Sequence, residues 1–270
     1  MSTPKRNDLA ESISAESSRS YLPRFKSPPP ADSKSIYNIR ISSKPDDIRA
    51  AQALRFQVFN LELNEGLQES FNNGLDADAF DSVCEHLLVE DQLTGSVVGT
   101  YRLQTGLQAQ ENLGYYSAQE FEFLPFENFR SHMVELGRAC VHRQHRNLTV
   151  LQMLWRGIAN YAKEHQARYL IGCSSLTSQD PLVGAQAYDQ LKACLAPSPW
   201  RTSPVPQCAC PLEHSAATPV KIPKLLTAYL SLGAKICGPP AIDREFKTID
   251  FLTFLDLQSL APKIMFKYFS

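Results

Sequence analysis

The chain has 270 residues, 43% of them hydrophobic and 10% aromatic, which is enough apolar material to bury a sizeable core in one large domain or two small ones. Its 27 lysines and arginines balance 28 acidic residues, so there is no overall basic field for nucleic acid, and any cationic site must be local. Seven cysteines without a regular framework, no signal-like start and no bilayer-spanning run predict a protein of the reducing cytoplasm.

The beginning of the chain differs from the rest in composition. It is rich in serine, proline and charge, as in "AESSRS" and "KSPPPADSKS", and it contains too few large apolar residues to form a core. Residues 1–35 are therefore predicted to be a flexible tail, and residues 36–270 to be the folded domain.

The first half of the domain is predicted from its apolar periodicity. Apolar residues recur at helical spacing from Asp46 to Leu63, and acidic residues favour the start, so this segment is predicted to be a helix. The β-rich runs "VCEHLLVE" and "SVVGTYRL" flank "DQLTG", which predicts a hairpin. The stretch "HMVELGRACVH" predicts the next strand.

The second half alternates helices and strands. The clearest helix is predicted at Leu148–His165, where one face is apolar, and Thr149 with Gln152 would form its capping box. The strand "RYLIGCSS" and the helix "PLVGAQAYDQLKACL" follow, and then a proline-rich loop, functional or mobile, at residues 197–221. A helix stopped by Gly233 precedes the strands "AKICG" and "TIDFLTFLDL". This order predicts an α/β or α+β domain with helices packed on both faces of a mixed central sheet.

The strand "VELGRACV" carries two charged residues three positions apart. In a regular strand Glu135 and Arg138 would point to opposite faces, but Gly137 between them is typical of a β-bulge, which brings both to one face. A bulge also leaves a backbone N–H unpaired, here that of Ala139 or Cys140, which could stabilise an oxyanion. The alternative is an ordinary strand with an ion-paired glutamate.

A basic loop, "HRQHRNL", separates this strand from the long helix. The N-terminus of a helix presents unpaired N–H groups and a positive dipole end, so Arg143, Arg146 and Asn147 are predicted to bind a phosphate there. The alternative is a solvated basic turn.

The cysteines are not predicted to do chemistry. Cys208 and Cys210 with His214 lack four ligands at zinc spacing, so no metal is predicted. Cys140 would be a small core residue, because transfer of an acyl group to an amine needs no covalent intermediate on the enzyme.

Several motifs resemble one group of enzymes. A strand, a cationic loop, a long helix and a further strand form the core of the GNAT fold. The motifs "ALRFQVFNLEL", "DADAFDSVCEHLLVED", "VVGTYRL" and "VELGRACV" resemble those of acyl-homoserine-lactone synthases and, more closely, of bacterial ornithine N-acyltransferases, which make lyso-ornithine lipid. "GCSSLTSQDP" and "LLTAYLSLGAKICGPPAIDREFKTIDFL" resemble the ornithine group specifically, and the resemblance covers about residues 36–269.

The resemblance implies a set of site residues. Glu135 would take a proton from the acceptor's ammonium, directly or through water, and Arg138 would be catalytic with it. The arginines would hold that carboxylate, the acceptor's carboxylate or neighbouring acids. The acceptor-binding or site-organising residues would be Arg55, Phe59, Asp78, Asp81 and Arg102.

The resemblance also implies the reaction and its partners. A fatty acyl group, 3-hydroxylated by analogy, would pass from acyl-carrier protein to the α-amine of L-ornithine. The glycine-rich loop that binds the coenzyme A pyrophosphate is absent, so the donor would be the carrier's phosphopantetheine thioester, with no bound cofactor. A lipid product implies peripheral contact with the cytoplasmic membrane face. The alternatives are another amino acid acceptor, a lactone-forming signal synthase, or a non-catalytic, hemolysin-like membrane-active protein.

Overall fold

The computed structural model describes residues 36–213 and 219–269. The predicted tail, residues 1–35, and His214 lie outside these described residues, so the predictions about them stay predictions. The strands are β1 (Tyr37–Ser42), β2 (Glu85–Asp91), β3 (Ser96–Thr105), β4 (Met133–Val141), β5 (Tyr169–Leu176), β6 (Lys235–Ile236), β7 (Ala241–Asp243) and β8 (Thr248–Asp256). The α-helices are α1 (Pro45–Arg55), α2 (Gly106–Glu111), α3 (Leu148–Glu164), α4 (Pro181–Leu191), α5 (Lys224–Ser231) and α6 (Pro262–Phe269).

The strands form one mixed sheet in the order β1-β2-β3-β4-β5-β8-β6, and β7 also pairs with β8. Of the strands in the described residues, only the neighbours β4 and β5 pair in parallel, over three positions that end at Glu135 and Ile171. Gly172 follows, and a Cβ there would collide with the Leu136 carbonyl, so glycine permits this close approach. Beyond this point β4 and β5 no longer pair, which leaves a gap in the middle of the sheet.

Helices cover both faces of the sheet, as predicted. On one face Leu103 of β3 packs with Leu154 of α3 in the largest apolar core. On the other face Arg102, the neighbouring residue of β3, shares the Asp81 carboxylate with Arg55 of α1. Because alternate residues of a strand point to opposite faces, α1 and α3 lie on opposite sides of the sheet.

Two details of the predicted helices differ from the structure. The cap of α3 is Asn147, whose side-chain oxygen accepts from Val150 N at 3.0 Å, so the capping box predicted for Thr149 and Gln152 is wrong. An N-cap residue has non-helical backbone angles, and the helix has already begun before Thr149. The helix predicted to reach Leu63 changes after Arg55 into a π-helix at Phe56–Glu62.

The proline-rich segment is packed where the structure describes it. Trp200 stacks on Phe254 of β8 with ring centroids 4.4 Å apart, and Thr202 N donates to Cys237 O at 2.9 Å. Apart from short 3-10 turns it lacks regular structure, in line with its prolines. No helix among the described residues has the length and apolar character required to cross a membrane.

Candidate active site

A β-bulge interrupts β4, as the sequence predicted. Thr100 pairs with Cys140 and Arg102 pairs with Gly137, so Tyr101 alone faces two residues of β4. The extra residue lies just after Gly137, where Arg138 has a φ of 50°, in the left-handed region that few side chains adopt. The bulge turns Glu135 and Arg138 toward the α1 face together.

Glu135 is buried and held by uncharged donors. Its carboxylate accepts from Gln104 Nε2 at 2.6 Å, from Tyr116 N at 2.9 Å and from Ser117 N at 2.8 Å. Among the described residues no cation pairs with it, so the alternative of an ion-paired strand glutamate is wrong. The three donors fix a carboxylate on the wall of the central cavity.

Arg55, Arg102 and Arg138, which were predicted to lie at the site, are paired with aspartates. Arg55 donates to Asp81 at 2.8 and 2.6 Å, and Arg102 donates to the same carboxylate at 3.0 Å. Arg138 donates to Asp78 at 2.9 Å. We call this set the arginine–aspartate cluster; its members are Arg55, Arg102, Arg138, Asp76, Asp78 and Asp81.

Three positive and three negative side chains cancel in this cluster. Burial opposes the ionisation of Asp81, but the hydrogen bonds and charges of Arg55 and Arg102 outweigh it and hold the pKa of that carboxyl well below its usual value. Asp78 also caps the short helix that begins after it. The arginines therefore hold neighbouring acids, which was one of the three predicted roles, and they organise the site. Sequence reasoning missed Asp76, although it stands in the "DADAFD" motif.

Aromatic rings complete the wall beside the cluster. Phe59 meets Phe246 edge to face at 5.2 Å, and both rings line the cavity. The Arg138 guanidinium lies 4.4 Å from the Phe246 ring centre and 4.8 Å from that of Tyr116. These rings hold Arg138 in place by cation–π contacts.

A cavity of about 340 Å³ occupies the gap between β4 and β5. Its apolar part lies against α3 and α5 and is lined by Tyr101, Leu103, Trp155, Leu170, Tyr229 and Leu255. Its polar part is lined by Glu65, Ser117, Glu135, Arg138, Asp243 and Asp250. One cavity thus joins an apolar channel to a charged chamber, with the bulge of β4 between them.

Three further buried carboxyl groups lie at or next to the polar part, and sequence reasoning missed them: two line it, and the third lies beside Asp250. Glu65, Glu120 and Asp250, which we call the carboxyl triad, are each no more than 5% exposed. Burial, with the nearby charge of Asp250, raises the pKa of Glu65 to about 7 despite a hydrogen bond from the Thr177 hydroxyl. Burial also raises the pKa values of Glu120 and Asp250. The one local signal was an acid, Asp250, in the middle of the mainly apolar strand "TIDFLTFLDL".

Ligand atoms of Glu120, Cys173 and Asp250 lie within 4.8 Å of one another, close enough to hold a metal ion. Burial raises the pKa of the Cys173 thiol well above its usual value. A metal would have to expel that proton in order to bind, because thiols ligate metals as thiolates. Cys208 and Cys210 hydrogen-bond to backbone carbonyls, and Cys210 is buried beside Gly184.

The predicted phosphate site is outside the cavity. Arg146 pairs with Glu62 at 2.5 Å and donates to Val141 O at 3.0 Å, while the Asn147 side chain is used as the cap of α3. Asn147 as a phosphate ligand is not supported, because its Nδ2 group, the side-chain donor that a phosphate would need, already donates to the Tyr37 hydroxyl at 3.2 Å. Arg143 is exposed and has no hydrogen bond or ion pair among the described residues, so it stays a candidate.

The two residues predicted to carry the oxyanion donor differ in position. Ala139 lines the cavity, whereas Cys140 packs with Leu54 and Val58 on the α1 side. Burial raises the pKa of the Cys140 thiol to about 12, which agrees with a core role and not with that of a nucleophile. Of the two, Ala139 is better placed to present its N–H to a ligand.

Residues 54–156 match the acetyltransferase (GNAT) domain family. The chain is 34% identical over 249 residues to the L-ornithine N(alpha)-acyltransferase of Agrobacterium fabrum, an alignment that covers 85% of this chain and 84% of that one. The Brucella abortus enzyme of the same name is 32% identical, over 85% of this chain and 88% of its own. Among solved structures, FeeM, an N-acyl amino acid synthase from uncultured soil microbes, is 12% identical with a TM-score of 0.49, over 83% of this chain and 92% of that one.

Proposed function

Because this chain belongs to the L-ornithine N(alpha)-acyltransferase family and is an acyltransferase, we propose that it transfers a fatty acyl group from a thioester to the α-amine of L-ornithine. The product would be lyso-ornithine lipid. The observation that carries the proposal is the cavity between β4 and β5, in which the fixed carboxylate of Glu135 stands where an apolar channel meets a charged chamber.

The acyl chain would occupy the apolar channel and bring its thioester carbonyl to the bulge. Glu135 accepts a proton from the acceptor's ammonium, directly or through water, and the neutral amine attacks the carbonyl carbon. The N–H of Ala139 stabilises the oxyanion of the tetrahedral intermediate. The carbon–sulfur bond then breaks, the amide forms, and the thiolate leaves and takes up a proton.

The donor in this proposal is acyl-carrier protein, and no cofactor stays bound. The loop before α3 lacks the glycines that would let backbone N–H groups wrap a pyrophosphate, but Arg143 is free to meet the single phosphate of a phosphopantetheine arm. Carrier proteins are acidic, so the same cation would also attract the carrier. The enzyme would work in the cytoplasm, in peripheral contact with the membrane face that receives its lipid.

The experiment is an in vitro assay with purified protein, L-ornithine and a 3-hydroxyacyl donor on acyl-carrier protein or on coenzyme A. Mass spectrometry with fragmentation identifies the product and the acylated nitrogen. An Nα-acyl ornithine, formed faster from the carrier, supports the proposal. An amide of another amino acid or a lactone would indicate a different synthase, and no product with any acceptor would contradict acyl transfer.

A further inference from the structure

Three distant parts of the chain place carboxyl groups beside the cavity. Asp250 of β8 pairs with Ser175 of β5, and it lines the cavity together with Glu65, whose side chain accepts from the Thr177 hydroxyl just after β5. Glu120 follows the short helix Tyr116–Gln119, whose first N–H groups hold Glu135. Glu65 and Asp250 therefore line the same chamber as the proposed base, and Glu120 lies beside Asp250 outside its lining.

The triad has no cation of its own. Among the described residues, neither lysine nor arginine pairs with Glu65, Glu120 or Asp250. Glu120 and Asp250 are both only 4% exposed, and Asp250 accepts from the Thr248 hydroxyl at 3.3 Å and hydrogen-bonds with the Ser175 and Glu120 side chains. Apart from this contact between the two carboxyl groups, Glu120 Oε2 and Asp250 Oδ1 are buried without a donor in that part of the chain. A buried carboxylate needs a proton or a cation, because leaving it charged and unpaired is costly.

We propose that the carboxyl triad binds the side-chain ammonium of the acceptor and thereby selects an amino acid with a second, distal amine. This inference rests on the proposed function and deepens it, because it assigns the end of the acceptor opposite to the reacting α-amine. Glu65 and Asp250, which line the cavity, would contact the ammonium, and Glu120 would support Asp250 from behind.

The geometry allows one acceptor to reach both places. Ser117, whose N–H holds Glu135, lies within the 3-10 turn Tyr116–Gln119, and Glu120 directly follows that turn; three residues of such a turn rise by roughly 6 Å. The α and distal nitrogens of an extended ornithine are separated by roughly the same distance, given standard bond lengths. With the distal ammonium at the triad, the α-amine can lie at Glu135.

An ammonium fits this site better than a metal ion. Cys173, the third possible metal ligand, keeps its proton because burial raises its pKa well above the usual value. An ammonium needs only acceptors, and the triad supplies oxygens that lack donors. Burial raises the pKa values of the three acids and so favours their neutral forms, and a bound ammonium would oppose that shift by stabilising the carboxylates.

The test compares L-ornithine with L-norvaline, which has the same carbon chain without the distal amine. For the wild-type protein we expect kcat/KM to favour ornithine by ~10²-fold or more, because norvaline would leave buried polar groups without a partner. In Asp250→Asn and Glu65→Gln the ratio of the ornithine kcat/KM to the norvaline kcat/KM should fall by ~10-fold or more, because the amide no longer offers a charged partner to the distal ammonium. Asp256→Asn is the matched control on the same strand, since its carboxylate pairs with Arg168 at the surface, and it should keep the preference.

The outcomes separate this inference from the proposed function. Ornithine and norvaline acylated equally well by the wild type would overturn the triad site while leaving acyl transfer to ornithine standing. No acylation of any amino acid would contradict the proposed function itself, and calorimetry of ornithine and norvaline binding to the wild type would then decide the triad site alone. If a triad variant does not fold, the same comparison of ornithine and norvaline binding to the wild type tests the triad site in its place. A loss of ornithine turnover on dialysis against a chelator, restored by a divalent metal, would assign the triad to a metal and overturn the inference.

Discussion

Two buried groups of charged residues lie on the same side of the sheet, and they differ in how their charges are compensated. The arginine–aspartate cluster holds three cations and three anions, each in contact with the other kind. The carboxyl triad holds three acids and no cation from the described part of the chain. The first group is balanced in charge without a ligand, whereas the second has no positive partner in the described part of the chain.

Because of this difference, we interpret the arginine–aspartate cluster as a scaffold and the carboxyl triad as a binding site. Buried ions that are fully paired cost little to keep but much to break, since removal of one partner leaves an uncompensated charge. Buried acids without cations hold protons instead, and they are poised to exchange those protons for a cation from outside. Mutations in the two groups should therefore have opposite effects on stability, which makes the comparison open to experiment.

The largest expected effect is in the cluster. Asp81 accepts from both Arg55 and Arg102, so Asp81→Asn should lower the free energy of unfolding by about 3–5 kcal/mol, the usual cost of breaking a buried ion pair. Urea denaturation at pH 7 measures this. Glu127→Gln, which breaks an exposed pair with Arg130, is the control and should change stability by less than about 1 kcal/mol. An Asp81→Asn protein as stable as the wild type would remove the cluster as the scaffold.

The next effect concerns Glu135, a buried carboxylate that belongs to neither group. Glu135→Gln should lower turnover per folded molecule by ~10²-fold or more, because the amide cannot accept the proton of the ammonium. The amide N–H would also face a donor such as Ser117 N, so stability should fall by about 1–3 kcal/mol. Turnover and thermal melting are measured together, with Glu135→Asp as the variant that keeps the charge. Turnover close to wild type in folded Glu135→Gln would show that another group is the base.

The features of these two groups that lie within one short stretch of sequence could be predicted, and those formed by distant stretches could not. The bulge followed from Glu135, Gly137 and Arg138 in one short stretch, and the "DADAFD" motif already held the three acids of the cluster. The triad could not be predicted, because Glu65, Glu120 and Asp250 come from different parts of the chain and meet only when β5 and β8 pair. Their charge state depends on burial, which no single segment encodes.

The same limit applies to the smaller errors in the predicted fold. The α3 cap was assigned to Thr149, although Asn147 two residues earlier is an equally good cap by composition and the backbone decides between them. The strands β1 and β7 were missed for different reasons. The sequence of β1 does alternate, with Tyr37, Ile39 and Ile41 apolar, so its local pattern was overlooked. The three-residue β7 is too short to show a pattern and is defined by its pairing with β8. The mixed sheet with helices on both faces was predicted correctly, because long apolar periodicity carries that information.

A smaller effect, of opposite sign, is expected in the triad. The pKa of Glu65 is about 7 in the folded protein against 4.5 for the free side chain. A raised acid pKa contributes stability that is present below the unfolded value and is lost as pH rises through the folded value. Glu65→Gln should therefore match the wild type near pH 4.5 and exceed it by about 1–3 kcal/mol at pH 8.

Urea denaturation across this pH range measures the crossover. Asp250, Glu120 and Asp243 stay in both proteins, so the difference between the curves reports the Glu65 carboxyl together with its interaction with the charge of Asp250. Glu62→Gln is the control, since Arg146 first and burial second set its pKa, with a net lowering, and it should show no stabilisation at pH 8. A Glu65→Gln protein less stable than the wild type at pH 8 would show that the Glu65 carboxylate is already compensated.

The smallest effect is expected at the protein surface. The same rule applies there: an unpaired charge is available to a partner. Arg143 has no hydrogen bond or ion pair in the described part of the chain, whereas Arg146 in the same loop is held by Glu62 at 2.5 and 2.8 Å. Arg143→Ala should therefore lower kcat/KM for acyl-carrier protein by ~3- to 10-fold, mainly through slower encounter, and should leave kcat/KM for the same acyl group on coenzyme A less affected. Because an exposed charge acts through a screened field, the loss should shrink as salt approaches 1 M.

Arg146→Ala is the matched control, and its effect on the carrier should be smaller because Glu62 already neutralises this guanidinium. Equal losses in both variants, or a loss that does not depend on salt, would show that the carrier does not distinguish the free cation from the paired one.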